Sequence, residues 1–108
     1  MLRSERDYIM RMIALAAAMV ARLREKLAAG ARPAEVVDEA RAAQGQLLGK
    51  DLAIFRAPDG ARAAQLIGHK ETVRAWADLL ELEADALRMD GRDAEADRMD
   101  AVVAALRS

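Results

Sequence analysis

The chain has 108 residues, 54% of them apolar and 32% charged, with three aromatic residues, no cysteine and a formal net charge of −1. This composition suits one small domain of packed helices and argues against strands, where β-branched and aromatic residues would be enriched. It excludes disulfides and thiolate chemistry, and it gives the chain as a whole no electrostatic reason to bind nucleic acid.

The small net charge hides an asymmetry. Residues 1–32 carry seven basic and three acidic groups, a net of +4, whereas residues 71–100 carry ten acidic groups and four Arg, a net of −6. Two such ends can lie side by side in one molecule or pair between molecules.

Positions 8–21 are almost wholly apolar, but the run falls short of the roughly 20 residues of a membrane span and is interrupted by Arg11. Glu5 and Asp7 spoil the positive start of a secretory leader. Ile9, Ile13, Ala16, Val20, Leu23 and Leu27 instead keep helical spacing straight through Arg22 and Arg24, as one packed helix requires. With no cysteine to oxidise, the cytoplasm is the expected compartment.

The spacing predicts helix 1 over about residues 5–29, with Ser4 as N-cap, Asp7 at the acid position of a capping box and Gly30 as terminator. A second row, Tyr8, Met12, Leu15 and Met19, makes the first half of this helix apolar around most of its circumference. A surface helix needs only one stripe. Helix 1 is therefore expected at the centre of the fold, or half buried in a second subunit.

Pro33 suits the first turn of helix 2, whose face is Val36, Val37, Ala40, Leu47 and Leu48, and Gly49 closes it. In the connector, residues 51–55 read as a short helical turn, Ala57-Pro58-Asp59-Gly60 as a β-turn, and residues 61–67 as a short helix ended by Gly68. Helix 4 is expected over residues 70–89. One of its seams is Val73, Trp76, Leu80, Ala84 and Leu87, and the other is Leu79, Leu82, Ala86 and Met89. After Asp90-Gly91, helix 5 sets Met99, Val102, Val103 and Leu106 on one face. Helices joined by turns this short lie antiparallel as hairpins.

Little in the chain spells out catalysis. His69 is the only histidine and has Leu66 three residues before it, so neither a two-imidazole metal site nor a Glu-x-x-His pair exists. The acids Asp90, Asp93, Glu95, Asp97 and Asp100 lack the ligand alternation of a calcium loop, and acids are expected at a helix start anyway. No phosphate loop, nucleophile elbow or dinucleotide fingerprint occurs. Trp76 sits where a core residue belongs, while Tyr8, with Arg11 one turn on, fits a core or an interface equally well.

At an offset of sixty residues the chain echoes itself, pairing Met19-Val20 with Leu79-Leu80, Leu27 with Leu87, Arg32 with Arg92 and Ala34-Glu35 with Ala94-Glu95. The segment from Leu79 to Leu106 resembles a tetratricopeptide-type hairpin, in which a small Ala follows the turn Gly by five residues, as Ala96 follows Gly91. Leu80 and Leu87 fall where that repeat has large residues. Ala84 replaces its helix Gly, and Asp93 and Asp100 replace usual aromatics, so the resemblance implies a hairpin more than a regular superhelical array. The whole chain is similar to a family of small bacterial helical proteins that open on a motif like Asp7-Tyr8-Ile9-Met10-Arg11. They carry a central Leu-Leu-Gly-x-Asp-Leu, here residues 47–52, and finish with such a hairpin. That resemblance implies a fold and carries over no catalytic residue.

The expected architecture is one all-α domain of four to five helices, with hairpin 1 over about residues 5–48, a loosely helical connector over 49–68 and hairpin 2 over 69–107. The expected function is a non-enzymatic protein–protein interaction module without metal or cofactor. It self-associates through helix 1, with Tyr8, Arg11, Met12, Leu15 and Met19 as the interaction surface. Two alternatives compete. One is docking of the basic, apolar helix 1 on an anionic membrane surface, and the other is a small-ligand carrier with a pocket between the hairpins.

Overall fold

The computed structural model describes residues 2–49, 52 and 60–108, with side chains for residues 5–49, 52 and 62–108. Five helices follow in order among the described residues: α1 (Leu2–Ala28), α2 (Pro33–Leu48), α3 (Gly60–Ile67), α4 (Lys70–Met89) and α5 (Asp93–Arg107), with no strand. The fold is all-α. Of the connector, the short helix expected over residues 61–67 forms as α3. The expected turn over residues 51–55, apart from Leu52, and the β-turn up to Gly60 lie outside the described residues. No helix among the described residues is long and apolar enough to cross a membrane.

Both hairpins are closed by the same device. At the end of α1, Gly30 takes a φ of 91°, its N–H donates to the Leu27 carbonyl, and the Ala31 N–H reaches back to the Lys26 carbonyl at 2.9 Å. At the end of α4, Gly91 takes a φ of 77°, its N–H donates to Arg88, and the Arg92 N–H reaches the Leu87 carbonyl at 2.8 Å. Each is a Schellman motif, in which a left-handed residue lets the chain satisfy the last helical carbonyls as it turns away. The following helices open alike too. Arg32 pairs with Glu35 and Arg92 with Glu95, one turn into α2 and α5 respectively.

These matched turns refine the internal echo. Gly30 and Gly91 are 61 residues apart, whereas Arg32 and Arg92 are 60 apart, because the first turn holds one more residue than the second. In the leading helices the structural counterparts are therefore 61 apart. Met12, Leu15 and Met19 occupy the places of Val73, Trp76 and Leu80.

The core is organised around α4, not α1. Twelve of the twenty residues of α4 are buried, and it packs against all four other helices, while among the described helices α1 packs against α2 and α4. Of the two places expected for helix 1, the centre of the fold is taken by α4, which meets α1 through Ala75 and Leu79 on one flank. Leu23, Val36, Val37 and Ala40 of hairpin 1 share one cluster with Leu82, Ala84, Leu87 and Ala96 of hairpin 2. A second cluster joins Val73, Trp76, Ala77 and Leu80 to Val102, Val103 and Leu106 of α5 and to Ala63 of α3. Two smaller expectations also need correction. α1 begins at Leu2, so Ser4 does not stand at the N-cap position, and Met89 at the end of α4 is exposed instead of completing a seam.

A Cβ added at Gly91 would meet no atom within 4 Å, so replacing this residue tests the backbone conformation alone. Gly91→Ala is expected to destabilise the protein by about 1–2 kcal/mol, the cost of a left-handed L-residue, measured as the shift in a urea unfolding curve.

Candidate interaction surface and buried polar relay

The five residues proposed from sequence lie on one face of α1. Tyr8 is 57% exposed and Leu15 55% exposed, Arg11 is exposed, and Met12 and Met19 are half-buried. Met12, Leu15 and Met19 border a narrow crevice against Ala43, Gln46 and Leu47 of α2. The reason for their exposure lies in that partner helix. Where α5 covers Trp76 with Val102, Val103 and Leu106, the residues sixty earlier in α2 are Ala42, Ala43 and Gln46. Smaller and more polar side chains leave the larger ones of α1 uncovered.

The opposite edge of α1 runs beside α4 and sorts the charges. Arg24 pairs with Asp85 at 3.0 Å and with Glu81 at 3.6 Å, and Arg107 of α5 pairs with Glu81 and Asp78, each at 2.9 Å. The acidic ridge of α4 is thus clamped from both sides by Arg. Part of the basic excess of the N-terminal third is answered inside the molecule. Arg6, Arg11 and Arg22 are exposed and make no ion pair among the described residues.

A polar relay that the sequence reading missed runs through the core. The Trp76 indole N–H donates to Gln44 Oε1 at 3.1 Å, and the Gln44 amide donates to Glu83 Oε1 at 2.7 Å. Arg41 Nε donates to Glu83 Oε2 at 3.1 Å, and its Nη2 lies 3.5 Å from Glu95, which Arg92 also holds at 2.9 Å. Trp76, Gln44 and Glu83 have no solvent exposure, whereas Arg41 is half-buried. The relay leads from the centre of the fold to the surface and ties α2 to both helices of hairpin 2. A signal was present in the sequence, since Glu83 stands one turn-pair beyond Trp76 on a seam otherwise made of Leu and Ala, and Gln44 interrupts the apolar face of α2.

Chemically, the relay is saturated. No buried side-chain nitrogen or oxygen among the described residues lacks a partner, and no group of three acidic or imidazole side chains there is placed to hold a metal. His69, the N-cap residue of α4, is exposed and makes no capping bond. It borders two surface depressions, one of about 670 Å³ with Lys70, Arg74 and Arg107, and one of about 490 Å³ with Ile9, Met10 and Glu71. The second of these lies between the hairpins, as does a smaller groove of about 230 Å³ flanked by Ile13, Val20, Arg74 and Asp78. Against models of known protein families, curated proteins and solved structures, the chain shows no match.

Removing the carboxylate at the hub takes an acceptor from the buried Gln44 amide, while Arg41, half-buried, keeps Glu95. Glu83→Ala is expected to cost about 1–3 kcal/mol, read from denaturant unfolding with the single buried Trp76 as fluorophore. At the surface, hydrogen bonds from Arg92 to Glu95 and from Arg32 to Glu35 hold both carboxyls below the usual carboxylate range, with help from the same Arg charges. A lowered folded pKa gives stability that is present above the unfolded value of about 4.3 and is lost as pH falls through the folded one. The unfolding midpoint should therefore drop on acidification below about pH 4. The double variant Glu35→Gln, Glu95→Gln should show a shallower drop than the parent.

Proposed function

We propose that this chain is a non-enzymatic interaction module that self-associates through the uncovered face of α1. The observation that carries the reading is Tyr8 and Leu15, both more than half exposed, in one row with Met12 and Met19. Exposed apolar residues scattered singly need no explanation, but a continuous row with a Tyr and an Arg has the makings of an interface.

The order of neighbours supports a related reading, that the chain is a pair of stacked tetratricopeptide-like hairpins of the kind seen in small bacterial helical proteins. The leading helix α1 packs on its own partner α2 and on the next leading helix α4, and α2 also packs on α4. That is the neighbour scheme of a short solenoid, in which each unit buries its face on the next and an end face stays open. The matched Schellman turns and the buried Ala96 after Gly91 point the same way.

Docking on an anionic membrane competes for the same surface through Arg6, Arg11 and Arg22. Glu5, Asp7 and Glu25 are exposed on the same helix and dilute that attraction. Sedimentation equilibrium at micromolar concentrations is expected to give a mass above that of the 11.8 kDa monomer. Leu15→Glu should return the protein to monomer while leaving its helical circular dichroism unchanged. A monomer at every concentration, with recovery on anionic liposomes at low salt, would overturn the reading in favour of the membrane.

A further inference from the structure

The uncovered row of α1 extends into a pattern that reads the same from both ends. Glu5, Tyr8, Met12, Leu15, Met19 and Arg22 are separated by three, four, three, four and three residues. All six lie within about 100° of one another around the helix at 3.6 residues per turn. A two-fold axis between Met12 and Leu15 maps Tyr8 onto Met19 and Glu5 onto Arg22. The charges at the two ends are opposite. Both are exposed, and neither makes an ion pair or a side-chain hydrogen bond among the described residues.

We infer that the occupant of this face is a second copy of the same chain, with its α1 laid antiparallel across the first. The inference rests on the self-association just proposed and fixes its geometry. Alternating spacings of three and four keep an apolar seam facing a partner helix at a shallow crossing angle, and a two-fold contact closes on itself without propagating into a filament. In this register Tyr8 packs against the partner's Met19, Met12 against the partner's Leu15, and Glu5 pairs with the partner's Arg22 at both ends of the seam. A parallel pairing would instead set Glu5 against Glu5 and Arg22 against Arg22.

The position of α2 agrees with this arrangement. It runs alongside the C-terminal part of α1, with Glu39 bonded to Lys26 and Leu47 beside Met12. In the antiparallel pair the centres of the two α2 helices therefore lie toward opposite ends of the seam. Each comes alongside the N-terminal half of the other copy's α1, where Tyr8 is bare.

Charge reversal separates this geometry from self-association as such. Glu5→Arg alone and Arg22→Glu alone should each raise the dimer dissociation constant about tenfold, since each places like charges at both ends of the seam. An equimolar mixture of the two variants should form heterodimers in preference to either homodimer, and the double variant Glu5→Arg, Arg22→Glu should recover dimerisation. Native mass spectrometry reads all four samples, with circular dichroism to confirm that each is folded. A dimeric parent whose mixed variants show no preference for the heterodimer overturns the antiparallel register and leaves self-association standing. A parent that is monomeric throughout overturns both.

Discussion

The constraint on which the fold depends is that α4 must be buried on nearly all sides while carrying a charge in its middle. Glu83 has no solvent exposure, and an isolated carboxylate there would be untenable. The structure answers with donors from α2, Gln44 and Arg41, which tie hairpin 1 to hairpin 2 at this point. A purely apolar seam would tolerate sliding by a turn. The same relay fixes the rotamer of Trp76 through its indole N–H and thereby the filling of the second core cluster. A buried carboxylate held in this way adds little net stability over an apolar residue, but leaving it without its donors is costly.

How far the fold was readable follows from what each signal measures. The bounds of α4 and α5 and the closing role of Gly30, Gly49, Gly68 and Gly91 were visible because helical spacing and terminator residues are local properties. All four glycines take positive φ, as their positions required. The rank of the helices was not visible. α1 and α4 both carry two apolar seams, and nothing local says which will be surrounded. The decision lies in the residues of their partners, where α5 offers Val102, Val103 and Leu106 and α2 offers Ala42, Ala43 and Gln46. The relay escaped for a similar reason. Glu83 looked like one of many acids on a charged helix, and only the approach of Gln44 and Arg41, some forty residues away in sequence, turns it into a core residue.

The charge asymmetry of the chain has two fates in the structure, and they differ along α1. Near the C-terminal end, Arg24 and Lys26 are drawn into pairs with α4 and α2. Exposed pairs of this kind contribute only about 0–1 kcal/mol each, so their effect is on orientation more than on stability. Toward the N-terminal end, Arg6 and Arg11 keep their charge unanswered among the described residues, as Arg22 does farther along the helix. The half of α1 that is apolar all round is therefore also the half with charge left over.

This coincidence bears on why the two hairpins, alike in their turns, end so differently. Met12, Leu15 and Met19 stand at the structural places of Val73, Trp76 and Leu80, the seam that α3 and α5 bury in hairpin 2. Had α2 simply repeated α5, the seam of α1 would be covered and the flanking charges would have no work to do. The small and polar residues of α2 open the seam instead, and the opening is bordered at its two ends by Glu5 and Arg22, charges of opposite sign at symmetric distances. A solvated surface requires no symmetry of this kind. In an isologous contact residue i meets j and j meets i, so opposite charges at such places would complement each other twice.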